Sequence, residues 1–234
     1  KILAPFGALA GALLQFGVKS HDADVRKTFL HLCAINNYGF LPIIIIQSVW
    51  QDEGLAKLFF LNLGSSVGYW TIGVGLLGGA NVRKAARNIL TPNLFALALA
   101  LVLCFAGLRG HVPAVLLQVT GSAGSAAVPC MLILIGASLY PVPRLADRRD
   151  LAYITLLRLG VLPAVMIGAL VALPLDAGVR SIALIVALMP ASVSSTIITR
   201  RFGGSPDFAA RVAVLTTLVS MASIPMALVL LEPI

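Results

Sequence analysis

Two apolar stretches of this chain are interrupted at mid-length by polar residues and a proline. The first reads Ala34-Ile35-Asn36-Asn37-Tyr38-Gly39-Phe40-Leu41-Pro42. The second reads Leu188-Met189-Pro190-Ala191-Ser192-Val193-Ser194-Ser195. Each sits in the middle of three consecutive hydrophobic segments. In hydrocarbon, a helix tolerates such a break only where the freed backbone is buried in protein or lines a cavity. Paired broken helices at matching places in two halves are a sequence pointer to the site of a secondary transporter.

The hydrocarbon setting follows from composition. Hydrophobic residues make up 59% of the chain and charged residues 11%, with a mean hydropathy of +0.98; a soluble domain carries about 25% charged residues. The chain is read as an all-α polytopic membrane protein. The net charge of +8 does not mark a nucleic-acid surface, because the basic residues lie in short loops between spans and set orientation instead. Cys33, Cys104 and Cys130 fall in apolar segments without metal spacing and read as small core residues. The start at Lys1, without methionine and without a cleavage-type site, reads as truncated or processed rather than as a signal peptide.

Eight spans are expected, at about 2–18, 28–50, 55–79, 93–108, 112–140, 151–174, 181–199 and 208–231, each near the ~20 residues a bilayer requires. Thr91-Pro92 and Ser205-Pro206-Asp207 place a capping hydroxyl before a first-turn proline and mark two helix starts. Basic residues alternate along the seven loops as 3, 1, 3, 1, 3, 1, 3: Lys19, Arg26 and Lys27; Lys57; Arg83, Lys84 and Arg87; Arg109; Arg144, Arg148 and Arg149; Arg180; Arg200, Arg201 and Arg211. By the positive-inside rule the odd loops are cytoplasmic and both visible ends lie outside. Aligning the two breaks leaves the first half two spans short, and the two three-span units enter from opposite sides. This implies an inverted repeat of ten spans, eight of them visible, with two broken crossing helices.

The acidic residues Asp22, Asp24, Asp52, Glu53, Asp147, Asp150, Asp176, Asp207 and Glu232 are all in loops or at an end. No buried carboxylate of the kind used in proton relays is visible. His21 and His111 are in loops, and His31 is placed within a turn of the cytoplasmic start of its span. No metal site can be assembled from these residues, and no cofactor or catalytic residue is expected. Pro42 cannot donate to the carbonyl of Tyr38, which is expected to be left unpaired, and Pro190 frees the carbonyl of Val186. Gly39 lets the backbone turn. Asn36, Asn37, Ser192, Ser194 and Ser195 add neutral polar groups. Half-helix N-termini facing this spot suit a carboxylate; freed carbonyls would suit a cation. Asn62, Ser65 and Ser66 either line the same cavity or bond to a neighbouring helix. Gln118 and the stretch Thr120-Gly121-Ser122-Ala123-Gly124-Ser125-Ala126 read as close helix packing. Arg158 is expected to snorkel to the cytoplasmic interface, the alternative being a direct role with an anion.

The run Asn37-Tyr38-Gly39-Phe40-Leu41-Pro42 resembles the first broken-helix motif of the auxin efflux carrier family. Phe59 to Gly64 running to Trp70-Thr71-Ile72-Gly73, Val128-Pro129 to Gly136-Ala137-Ser138-Leu139, Met189-Pro190-Ala191 to Gly204, and Ala210 to Pro225 are similar to later family motifs. Their order covers nearly the whole chain. The resemblance implies a scaffold domain and a mobile transport domain moving as an elevator. The organisation then expected is a truncated first repeat at 1–79, a cytoplasmic linker at 80–92, scaffold spans at 93–140, a cytoplasmic loop at 141–150 and second-repeat transport spans at 151–234. Family members carry organic anions, including auxin in plants and dicarboxylates such as malonate or malate in bacteria. The resemblance also implies a bacterial inner membrane. Carried onto this chain, the crossing falls at Asn37 to Pro42 and Pro190 to Ser194. Together with the residue-level reading, the expected substrate-binding set is Asn36, Asn37, Tyr38, Gly39, Pro42, Asn62, Pro190, Ser192 and Ser194. One departure is Ile44, where many members have a second proline.

The leading expectation is a secondary carrier for a small organic anion, with the lipid bilayer, a coupling Na+ or H+, and a second copy of the chain as the partners this reading allows. A sodium-coupled symporter using the freed carbonyls is the first alternative, and a membrane sensor that binds a solute without moving it is the second. A serine hydrolase using Ser122 or Ser125 would need a histidine at membrane depth. The topology has a direct test. A single cysteine replacing Asp52 should react with an impermeant thiol reagent on intact cells, and one replacing Arg148 should not; the reverse pattern inverts the orientation.

Overall fold

The computed structural model describes residues 3–78, 92–138 and 148–231. The expected linker at 80–92, with Arg83, Lys84 and Arg87, lies outside the described residues except for Pro92. So do Thr91, Arg144, Asp147 and Glu232. Among the described residues the structure is helical, and its one β-type contact is an isolated antiparallel bridge between Asn36 and Ala191.

Helix α1 spans Leu3–Leu14 and α2 Ala23–Ala34. After five non-helical residues, α3 runs from Phe40 to Gly68 and continues into a π-helical turn, Tyr69–Gly73. Helices α4 and α5 span Pro92–Phe105 and Ala114–Ser138. Helix α6, Arg148–Leu156, passes through a second π-turn, Leu157–Val161, into α7, Leu162–Ala172. Helix α8 spans Ala177–Leu188, α9 Ser195–Phe202 and α10 Pro206–Leu231. By length and composition, Arg148–Ala172 and Pro206–Val229 can each cross a membrane.

The helix boundaries have local causes. Asp22 caps α2 by accepting from Asp24 N at 2.8 Å, and Asp176 caps α8 by accepting from Gly178 N and Val179 N. Ser205 Oγ accepts from Phe208 N at 3.3 Å, with Pro206 as the first helical residue of α10. Within α3, Gln51 adopts φ 49° and ψ −139°. A non-glycine residue rarely adopts that backbone, and it divides α3 where the charged Asp52-Glu53 segment was read as a loop.

Three apolar clusters surround the two breaks. One joins Phe29, Leu32 and Cys33 of α2 to Leu151, Ile154, Leu157, Leu162, Ala191 and Val212. A second joins Ile46 and Leu58 of α3 to Ile182, Ile185, Met189 and Ile224. A third joins Ala34 and Ile35 to Tyr69, Leu77 and Ile198. In contrast, α4 and α5 present Phe95, Val102, Phe105, Val115 and Ile133 on exposed faces. The small-residue stretch of α5 was expected to pack against another helix. Among the described residues no atom lies within 4 Å of where a Cβ would sit on Gly121 or Gly124. Thr120 and Ser125 instead bond back to their own helix.

The close packing falls on α1. A Cβ on Gly7 would overlap the Cys33 carbonyl oxygen and lie 2.9 Å from Ala34 Cα, and one on Gly11 would lie 2.8 Å from Cys33 Cβ. Gly7 and Gly11 are a small-xxx-small pair that lets two backbones approach. Gly7→Ala must push α1 off α2. It should lower stability by about 1–3 kcal/mol, the usual cost of overpacking. Gly168→Ala, whose Cβ would meet nothing within 4 Å, should not. Thermal unfolding of the purified protein compares the two.

Candidate functional site

The two unwound segments cross in contact. Asn37 N donates to Pro190 O at 2.9 Å, beside the bridge between Asn36 and Ala191. Each proline leaves a carbonyl four residues back without its helical donor, and an asparagine side chain from elsewhere supplies one. Asn62 Nδ2 donates to Tyr38 O at 3.2 Å. Asn36 Nδ2 donates to Val186 O, which also accepts from Met189 N at 3.3 Å. The Tyr38 carbonyl is therefore paired, contrary to the expectation from the sequence, because α3 folds back and carries Asn62 to it.

Asn37 has a different job from Asn36. Its Oδ1 accepts from Phe40 N at 3.2 Å, which holds the first turn of α3. Ala191 N donates to Thr216 Oγ1 at 3.2 Å, tying the second segment to α10. Ser192 and Ser194 share a hydroxyl–hydroxyl bond of 2.7 Å.

A cavity of about 180 Å³ abuts the crossing. Asn36, Tyr38, Asn62 and Ser65 contribute its polar wall, and Phe6, Leu61, Met166, Leu170 and Val186 are among its apolar lining. Of the residues expected at the site, Asn36, Tyr38 and Asn62 line this cavity. Asn37, Gly39, Pro42, Pro190, Ser192 and Ser194 are not among its lining residues; they build the crossing itself or its other side. Asn62 both lines the cavity and bonds another segment, so the two alternatives drawn for it coincide. Ser65 and Ser66 bond back to Leu61 O and Asn62 O.

Two further residues sit where the sequence did not place them. His31 lies in the last turn of α2, because that helix stops at Ala34, and it is 0% exposed. Its Nδ1 is 2.8 Å from Gly73 O and its Nε2 is 3.1 Å from Ser195 Oγ. A carbonyl only accepts, so Nδ1 carries the proton, and a neutral ring accepts the Ser195 hydroxyl at Nε2. This puts a histidine beside a serine at the crossing. Ser195 is itself 0% exposed, and Nδ1 faces a backbone carbonyl rather than a carboxylate. Arg158 does not snorkel. It is 1% exposed, in the π-turn between α6 and α7, and its Nη1 donates to Cys33 O at 3.1 Å. A charged residue in apolar sequence signals both placements; a π-turn leaves no sequence mark.

Two membrane-length apolar helices, and two broken helices meeting beside a largely apolar cavity with a neutral polar wall, fit an integral membrane protein. A family model described as membrane transport protein matches residues 81–228, and the chain belongs to that family, the one its motifs resemble. It is 24% identical over 225 residues to an uncharacterized transporter of Methanothermobacter thermautotrophicus, a match covering 94% of this chain and 74% of the relative. It is 28% identical over 140 residues to an uncharacterized transporter of Methanocaldococcus jannaschii, covering 58% of this chain and 45% of the relative.

Asn62→Ala removes the side-chain donor on Tyr38 O and leaves a part-buried carbonyl unpaired. Such a loss costs about 1–3 kcal/mol. A lower thermal unfolding midpoint is expected, while Ser66→Ala, whose hydroxyl only bonds back to its own helix, should change little.

Proposed function

We propose that this chain belongs to a secondary carrier for a small carboxylate, which binds in the cavity against Asn36, Tyr38 and Asn62. The observation that carries this reading is the crossing itself. Two broken helices meet at Asn36 and Ala191 beside a cavity whose lining residues include amide and hydroxyl groups and no acid. Each asparagine amide has a second N–H beyond the one bonded to a freed carbonyl, and these can donate to a carboxylate. A sodium site would need several free oxygens. The carbonyls of Cys33, Tyr38 and Pro190 each accept one N–H and that of Val186 accepts two, so a sodium ion at the crossing would share its oxygens with these donors.

Transport by an elevator movement is part of the proposal. Helices α1 to α3 and α6 to α10 share the three apolar clusters around the crossing, whereas α4 and α5 carry exposed apolar faces. The clustered helices are suited to move as one body against α4 and α5. On the loop-charge alternation, the cavity rim at Leu173, Leu175 and Val179 faces outward.

The test is uptake into proteoliposomes holding the full-length protein, with labelled mono- and dicarboxylates, in sodium and in potassium buffer. Saturable carboxylate uptake that is equal in both buffers is expected. Asn36→Ala should weaken half-saturation about tenfold to hundredfold, the equivalent of roughly 1–3 kcal/mol. Strict sodium dependence, or uptake confined to neutral or cationic solutes, would overturn the reading.

A further inference from the structure

Among the described residues, Arg158 is a buried cation without a counter-ion. Its Nη1 bonds to Cys33 O, while its Nε and Nη2 are buried and have no hydrogen-bond partner. Ion pairs among the described residues include Lys27–Asp24 and Lys57–Glu53, and no described carboxylate pairs with Arg158. The last carbonyls of α2 carry a partial negative charge that offsets part of the guanidinium charge. That leaves the N–H groups of two nitrogens, Nε and Nη2, unmet, and a buried charge without partners is costly by several kcal/mol.

The surroundings point to a ligand. A π-turn, a feature frequent at functional sites, holds Arg158 in place. The turn packs against α10, and α10 brings a further buried, unpartnered polar atom, Thr217 Oγ1, one residue from the Thr216 that binds Ala191. Cys33, Leu157, Leu162 and Ala191 share one apolar cluster, so the guanidinium sits in low-dielectric packing beside the crossing. The cavity reaches Ala34, the neighbour of Cys33, and Met166, two turns beyond Arg158 on the same helix.

We propose that Arg158 binds a compact anion with one N–H from each of its unmet nitrogens, Nε and Nη2. The planar fork of a guanidinium matches a carboxylate bidentately and also accommodates a halide. The anion is then either the carboxylate of the carried solute, in which case the inference rests on the reading above and deepens it, or a resident chloride.

The experiment is a titration of the thermal unfolding midpoint of the purified full-length protein with sodium acetate, sodium malonate and sodium chloride. Ionic strength is held constant with the bulkier sodium gluconate. A saturable rise is expected for the parent. Saturation by acetate or malonate identifies a carboxylate site, and saturation by chloride alone identifies a halide site. Arg158→Gln keeps an N–H donor for Cys33 O but no charge, and should raise the half-saturating concentration roughly tenfold or more, the loss of a charge-assisted bidentate contact. Arg158→Lys keeps the charge without the fork and should weaken saturation less; it carries the comparison if the glutamine variant does not fold. Absence of any saturable response in the parent, or parent-like saturation in these variants, overturns the proposal. Uptake measured in parallel separates the two readings. A carboxylate carried equally well by Arg158→Gln, with no chloride saturation that depends on Arg158, removes this inference and leaves the carrier. Saturable chloride binding that depends on Arg158, without carboxylate uptake, keeps this inference and removes the carboxylate carrier.

Discussion

The antiparallel contact between Asn36 and Ala191 is the point on which the other features depend. Backbone released from a helix inside a membrane has no water to bond. Two unwound segments that cross can bond to each other, and Asn37 N to Pro190 O is that bond. The remaining freed carbonyls are met by donors brought from a distance in sequence: Asn62 for Tyr38, Asn36 for Val186 and Arg158 for Cys33. The breaks are thus held open by donors placed where the helical ladder stops.

The end of α2 gathers much of this support. α1 lies against it through Gly7 and Gly11, close enough that a methyl group at Gly7 has no room. The first π-turn presents Gly73 O to His31, whose other nitrogen meets Ser195 at the start of α9. The second π-turn presents Arg158. Thus the two halves of the chain meet through α2 as well as through the crossing, and a rearrangement that changes one contact must change the others.

The electrostatics of this region are one-sided. The described acidic residues act near helix ends and loops: Asp22 and Asp176 cap helices, and Asp150 accepts from Lys19 N and Ser20 N at 3.0 Å. Close to the crossing the charged group is a guanidinium.

The sequence by itself determined the membrane class, the place of both breaks and the start of α10. Those follow from composition, from Pro42 and Pro190, and from Ser205-Pro206, all of which act within a few residues. The family membership was legible for the same reason, since the motifs around the breaks are contiguous. Tertiary structure decided which polar residue serves which carbonyl. Asn36 and Asn37 are identical side chains one position apart, yet in an extended segment neighbouring residues point to opposite sides. One therefore lines the cavity while the other caps α3. His31 and Arg158 were assigned to the cytoplasmic margin because span limits were drawn from hydropathy, which put the start of α2 near residue 28 rather than at Ala23 and does not register that a π-turn holds Arg158 in the interior. Those placements depend on contacts between residues more than a hundred positions apart, such as Arg158 with Cys33, and no local pattern encodes them.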